Sequence, residues 1–405
     1  MYLARTLEKS IEKISNFFPV LLVTGPRQVG KTTVLQACAG RKRSYVSLGN
    51  LDNRSLAQSD PGLFLQRFRA PLFIDDIQYA PQLFPSIKAI VDQEKQPGLY
   101  WLAGSQHFPL MKNVTESLAG RVGILHLEGL SLAERDGQPD RPPFLPVPES
   151  LERRAARAAK SDSLFRLIWK GAYPQMHGAG DDKWASFYGA YVQTSIERDV
   201  RDMGAVGSEL AFLAFMKALA ARTGQLLNCS DIAREVGKSA PTIRAWVSRL
   251  RTSGLIVLLP SYPHAAGSRV IKTPRIYFMD TGLACFLTGW TSPQTLECGA
   301  MSGAMLETFV VSEILKSWWH NGRQPNMFSY RDKDRREISI LLEENGVLHP
   351  VAITRKTNPA RGDIRAFGVI EKVLGQKRGH GAVLCMTQTH VPVRADVDAV
   401  PIHCI

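Results

Sequence analysis

Residues 25–32 read Gly25-Pro26-Arg27-Gln28-Val29-Gly30-Lys31-Thr32, with Thr33 next. This is G-x-x-x-x-G-K-T, a spacing whose chemistry is phosphate binding. Glycines stand where a backbone must turn sharply and approach an anion closely. The loop's N–H groups can then wrap a polyphosphate at a helix N-terminus. Lys31 is placed to reach β- and γ-phosphates, and the Thr32 hydroxyl to reach a Mg²⁺ ion. The pattern calls for a nucleoside triphosphate, ATP or GTP.

Such a site needs carboxylates from a second strand. Leu72-Phe73-Ile74-Asp75-Asp76 supplies them: an apolar run, then two acids where strand becomes loop. Asp75 is the candidate to hold Mg²⁺ through water, and Asp76 to polarise the attacking water. A third run, Leu99-Tyr100-Trp101-Leu102-Ala103, ends in Gly104-Ser105-Gln106. A polar side chain there could bond the γ-phosphate or orient water, and both Ser105 and Gln106 qualify.

The elements that must position these groups are legible. Val20-Leu21-Leu22-Val23 reads as a buried strand entering the loop, and Lys31 to Ala39 as the helix leaving it. Met1 to Asn16 mixes Arg5, Glu8, Lys9, Glu12 and Lys13 with Leu7, Ile11 and Ile14, an amphipathic helix rather than a signal peptide. The 405 residues exceed one ordinary core, so about two to four domains are expected. No apolar run reaches the roughly 20 residues a membrane span needs. Six scattered cysteines form no C-x-x-C pair; they suggest neither zinc nor a disulfide framework and fit a reducing cytosol.

The net charge is +13, which favours polyanionic partners. Residues 226–275 concentrate it, with eight Arg or Lys against Asp231 and Glu235. Within them, 229–250 have helix-turn-helix patterning. Ile232, Val236, Ile243 and Trp246 take the packing positions and Gly237 the turn, with Ser230 and Ser239 as N-caps. The second helix is expected to present Thr242, Arg244, Ala245, Ser248 and Arg249, and Arg244 and Arg249 could meet guanine edges or phosphates of duplex DNA. A strand at Leu255 to Leu259 and another at Arg269 to Ile271 would make the wing. Many winged helices bind proteins instead, so a protein partner stays open.

Taken together, Gly25 to Thr33, Phe73-Ile74-Asp75-Asp76-Ile77-Gln78, Leu102-Ala103-Gly104-Ser105 and Ser117-Leu118-Ala119-Gly120-Arg121 resemble an AAA-type P-loop ATPase family of bacteria and archaea. Its members fuse the ATPase to a C-terminal domain of unknown function. The resemblance extends through Gly171-Ala172-Tyr173-Pro174, Ser195-Ile196-Glu197-Arg198-Asp199-Val200 and Lys272 to Leu283. It implies ATP with Mg²⁺, and places Arg121 near the phosphates as a sensor or finger. The family usually carries Glu where this chain has Asp76, a departure that would slow hydrolysis.

The C-terminal part looks like a restriction-endonuclease-like core, with a helix at Gly303 to Lys316 carrying Glu307 and strands at 328–331, 337–342 and 351–354. Glu337-Ile338-Ser339 and Ala352-Ile353-Thr354 stand where active relatives carry metal-binding acids and a lysine. Nuclease chemistry is therefore not expected. The fold class expected is α/β: a P-loop parallel sheet with helices on both faces, a helical and winged-helix region, then an α/β nuclease-like domain. The divisions are 1–135, 136–204 (opening on the proline-rich stretch 136–148), 205–275 and 276–405. The reading is a cytoplasmic Mg²⁺-dependent ATPase whose nucleotide state switches C-terminal domains toward nucleic acid or a protein partner. Its rival is a non-hydrolysing, ATP-gated DNA-binding regulator or protein-interaction module. Oligomeric state is left open.

Overall fold

The computed structural model describes residues 2–104, 114, 116–157, 163–196 (195 and 196 as backbone), 209–263 and 270–405. The chain divides into two compact units, each described by itself. Unit 1 is Met1–Arg141 with Thr252–Gly254 and Trp319–Arg323; unit 2 holds the remainder.

Unit 1 is built on five strands: β1 (Val20–Thr24), β2 (Ser44–Ser47), β3 (Leu72–Asp75), β4 (Tyr100–Gly104) and β5 (Val122–His126). All pair in parallel, in the order β2-β3-β4-β1-β5. A parallel sheet covered on both faces calls for continuous apolar runs, and β1, β3 and β4 are buried at every position. Helix α1 (Leu7–Ser15) places Leu7 and Ile11 inward, as its amphipathic pattern requires, and α2 (Lys31–Ala39) follows β1. Around Val20, Leu22, Leu72, Ile74 and Leu102 the core is closed by Phe64, Leu83, Phe84 and Ile87. Ligands of such sheets sit beyond the strands' carboxyl ends, where connections part to opposite sides; β1 is that strand here.

Unit 2 begins at Pro142, within the proline-rich stretch, and its described residues up to Arg251 are mainly helical. Helices Glu209–Ala220, Cys229–Val236 and Ala240–Thr252 bury Ile232, Ile243 and Trp246. The Trp246 ring packs on Phe212 and Phe215 at 5.2 and 5.3 Å. Ser239 caps the last of these helices, accepting from the Thr242 N–H at 3.2 Å. The preceding cap is Asn228 rather than Ser230, because its side chain reaches two free N–H groups, of Ser230 and Asp231.

The expected wing is also revised. Strand β6 (Ile256–Leu259) pairs antiparallel with β7 (Arg275–Phe278), not with Arg269 to Ile271. The run Arg275-Ile276-Tyr277-Phe278 is buried at all four positions, so it has the stronger claim on the ladder. Val270 and Ile271 instead pair with Asp332 and Arg331, beside β8 (Asn326–Arg331), while Arg269 lies outside the described residues.

The second sheet adds β9 (Glu337–Glu344), β10 (Val347–Ile353), β11 (Lys377–Arg378), β12 (Gly381–Cys385), β13 (Val391–Arg394) and β14 (Val397–Pro401). Its order is β13-β14-β12-β10-β9-β8, with β11 beside β10. The helix Ser302–Trp319 carries 13 buried residues, among them Leu306, Phe309, Val310 and Ile314, as a helix apolar on nearly all sides must. The α/β class read from the sequence is thus the class observed.

Two motifs with no assigned chemistry meet in unit 2. Asp280 accepts from the Ala172 N–H at 2.6 Å, the Tyr188 hydroxyl at 2.8 Å and the Leu283 N–H at 2.7 Å. Gly171 sits at φ +78°, and a Cβ there would lie 2.0 Å from the Tyr188 oxygen. Gly171-Ala172-Tyr173-Pro174 and Asp280-Thr281-Gly282-Leu283 are therefore two halves of one packing joint.

Candidate nucleotide site

The loop between β1 and α2 is shaped by its backbone. Gly25 has φ +148°, and a Cβ there would fall 1.9 Å from the Leu127 carbonyl oxygen, so no other residue fits. Gln28 and Gly30 both have positive φ, 62° and 94°, and Gly30 is the α2 N-cap. Successive turns of this kind direct N–H groups into a concave anion nest. Pro26 and Val29 are buried, Arg27, Gly30, Lys31 and Thr32 half-buried, and Gln28 and Thr33 exposed.

Lys31 folds back across the loop. Its ammonium donates to the carbonyls of Gly25 at 3.0 Å and Pro26 at 2.6 Å. Burial pushes its pKa down to about 8, against the pull of the nearby acids Asp75, Asp76 and Glu128. Two carbonyls are a neutral substitute for an anionic partner, so the positive charge is held poorly compensated.

Thr32 and Asp75 come together as expected: the Thr32 hydroxyl donates to Asp75 Oδ2 at 2.7 Å. The Asp76 N–H occupies Asp75 Oδ1 at 3.0 Å. Burial raises the Asp75 carboxyl above its usual range, while the Thr32 hydrogen bond opposes this and the Asp76 charge adds to it. Asp76 itself has left-handed backbone, φ 58° and ψ 39°, uncommon for a residue with a Cβ. Its Oδ1 accepts from Gln78 Nε2 at 2.9 Å.

Strand β4 ends at Gly104, in register with Thr24 and hence at the loop's edge of the sheet. Ser105 and Gln106 lie outside the described residues. Arg121 is corrected by the register. Val20 pairs with Val122, so Arg121 precedes the amino edge of the parallel sheet while the loop follows its carboxyl edge, with the whole of β1, about 13 Å of strand, between them. There its guanidinium pairs with Asp92 through Nε and Nη2, the latter at 3.1 Å, and donates to the Ala119 carbonyl at 3.0 Å. The structure does not bring Arg121 to this chain's own Lys31 or Asp75.

Three neighbours of the site escaped sequence reasoning. Tyr45, on β2, donates its hydroxyl to Asp75 Oδ2 at 3.3 Å, sharing that oxygen with Thr32. Glu128 is 3% exposed and bonds His126 Nε2 at 2.7 Å. Arg5 reaches the loop's Val29 carbonyl at 2.9 Å. An exposed-looking Tyr, a lone Glu after a strand and an Arg in a mixed-charge segment carry no motif.

In unit 2, Arg244 and Ser248 are exposed on their helix, whereas Thr242 and Arg249 are half-buried rather than fully outward. Thr242 shares a 2.8 Å hydroxyl contact with Ser239. Glu307 accepts from the Tyr277 hydroxyl at 2.8 Å, and Arg275 lies 3.5 Å from Glu307 and 2.5 Å from Glu337. A built-in guanidinium thus faces both carboxylates. Among the described residues no three His, Cys, Asp or Glu side chains form a metal-holding group.

The parallel sheet, the loop and the Thr32–Asp75 pair define a P-loop nucleotide domain, and residues 18–135 match the family model described as an AAA domain. Residues 302–405 match a domain of unknown function (DUF4143), and 161–294 another (DUF8612). The chain thus carries a region similar to an AAA domain, with the fold of a P-loop domain, followed by regions similar to two domains of unknown function. It is 27% identical over 345 residues to uncharacterized proteins of Mycobacterium tuberculosis and Mycobacterium bovis, covering 84% of this chain and 71% of each relative. A solved Walker-type ATPase of Pyrococcus abyssi is 16% identical, covering 71% of this chain and 96% of that one, with TM-score 0.39. Among the described residues no helix is long and apolar enough to cross a membrane.

Proposed function

We propose that unit 1 binds MgATP and hydrolyses it, and that the nucleotide state switches the C-terminal domains toward a nucleic-acid or protein partner. The observation that carries this is the Thr32 hydroxyl on Asp75 Oδ2 at 2.7 Å, beside a lysine whose ammonium donates to two loop carbonyls. Mg²⁺ fits this donor set, since it takes hard oxygen ligands and keeps several waters; Thr32 and Asp75 would hold it. Held there, it would supply neutralisation of phosphate charge.

The chain's own residues do the rest. The N–H groups of residues 27–33 bind the phosphates at the α2 N-terminus, and Lys31 exchanges its two carbonyls for phosphate oxygens. Asp76 orients or deprotonates the attacking water, with Ser105 as the γ-phosphate contact. Asp76 is a methylene shorter than the usual Glu and is tied to Gln78, which supports slow turnover. The same tie favours the rival reading, an ATP-gated binder that does not hydrolyse.

The helix Ala240–Thr252 is the proposed DNA contact of a winged helix, supported by exposed Arg244 and the local excess of six positive charges in 226–275. The divisions 1–135, 136–204, 205–275 and 276–405 are the parts through which the switch would act.

Calorimetric titration of the full chain with ATP, with and without Mg²⁺, tests the site. Binding strengthened by Mg²⁺ in wild type, with that Mg²⁺ effect lost in Thr32→Ala and Asp75→Asn, is expected. Equal binding by wild type and both variants would sink the assignment.

A further inference from the structure

We infer that Arg5 is a positioning residue of the nucleotide site, bracing the phosphate loop from behind through the Val29 carbonyl. The inference rests on the MgATP reading above. In the sequence Arg5 belongs to a mixed-charge segment, yet in the structure it is 5% exposed. Its planar fork donates Nη1 to Val29 O at 2.9 Å and Nη2 to Glu128 O at 2.8 Å, with Gly129 O at 3.4 Å. Its Nε faces Glu134 Oε1 at 3.1 Å. One guanidinium therefore ties the loop to the chain leaving β5, a task that needs several donors in fixed directions.

The Val29 carbonyl matters because a peptide unit is planar and trans. Its oxygen and the Gly30 N–H are opposite ends of one rigid plate. Fixing the oxygen on Arg5 fixes where the Gly30 N–H points. Val29 stands between Gln28 and Gly30, both at positive φ, where a peptide flip would turn a carbonyl toward the phosphates. Arg5 opposes that flip by bonding the oxygen in its present direction.

Arg5 is itself held. Glu134 is 1% exposed and accepts the N–H groups of Thr6 and Ser131, both at 2.9 Å. Burial alone would raise its carboxyl, but interaction with His320 and Arg5 outweighs this and holds it well below the usual range. His320, fully buried, accepts the Glu128 N–H on Nε2 at 3.1 Å, leaving Nδ1 to face Glu134 Oε1 at 3.2 Å. All these groups lie in unit 1, His320 through its short segment Trp319–Arg323. The buried cation is thus compensated and oriented from two sides.

The test uses the full chain as Arg5→Lys and Arg5→Ala, with MgATP affinity, KM, kcat and melting temperature as readouts. Leu83→Ala serves as a control for lost stability, since Leu83 is fully buried in the hydrophobic core of unit 1. Lysine keeps the charge but cannot hold the fork. Arg5→Lys should stay folded and bind MgATP about tenfold more weakly, the loss expected of one charge-assisted bond, with KM rising more than kcat falls. Should Arg5→Ala not fold, Arg5→Lys carries the test. Unchanged affinity in Arg5→Lys, or an equal loss in a Leu83→Ala control of matching melting temperature, overturns this inference and leaves the MgATP reading standing. Wild type failing to bind MgATP overturns both.

Discussion

Raising the pH should weaken ATP binding through Lys31 alone, by an amount the site fixes. In the free site burial holds this lysine at about 8, against an ordinary 10.5. Phosphate oxygens in place of the Gly25 and Pro26 carbonyls restore an anionic partner and return the lysine to its ordinary range. The complex then holds more protons than the free site above about pH 8, so affinity falls as pH rises. At about pH 7 roughly 90% of free sites carry the charged lysine, and at about pH 9 roughly 10%. The dissociation constant should therefore rise roughly tenfold over that interval, about 1.4 kcal/mol. Titration with MgATP at constant ionic strength reads this directly. Lys31→Arg provides the control, because a guanidinium stays charged throughout and should show a flat profile whatever its absolute affinity. A flat profile in wild type, or the same slope in Lys31→Arg, would refute the reasoning.

Other consequences follow from single contacts. Tyr45→Phe removes a hydrogen bond that favours ionised Asp75, so the acid limb of Mg²⁺-dependent activity should move to higher pH; an unmoved limb argues against the contact. Gly25→Ala should abolish MgATP binding, because its Cβ meets the Leu127 carbonyl at 1.9 Å; retained affinity would show that the loop can relax. Gly171→Ala should cost about 3 kcal/mol in denaturant unfolding by forcing Tyr188 off Asp280 at a left-handed position, with little change in ATP affinity if the units act independently. Arg244→Ala with Arg249→Ala should weaken duplex binding and flatten its salt dependence by about two counterions, while an unchanged slope favours a protein partner.

The phosphate loop was legible because its chemistry is local. Glycines, Lys31 and Thr32 are contiguous, and the apolar run before them announces the strand. Asp75 was legible because a buried strand ending in acids is itself a pattern. Arg121 was misplaced because motif similarity carries no register; only the Val20–Val122 pairing shows which edge of the sheet it occupies. Tyr45, Glu128 and Arg5 were invisible because each reaches the site across strands or from a distant segment, with nothing local to mark it. The wing strand failed for a related reason. Arg269 to Ile271 and Arg275 to Phe278 are both strand-compatible, and only tertiary burial decides which one pairs with β6.

The central claim is that this loop and its carboxylates turn over ATP, and steady-state phosphate release measures it most directly. The assay compares wild type with Lys31→Ala in Mg²⁺, with and without duplex DNA. Slow release in wild type, lost in Lys31→Ala and altered by DNA, is the predicted result. No release from wild type that binds MgATP tightly would contradict it and leave the ATP-gated binder as the reading that fits.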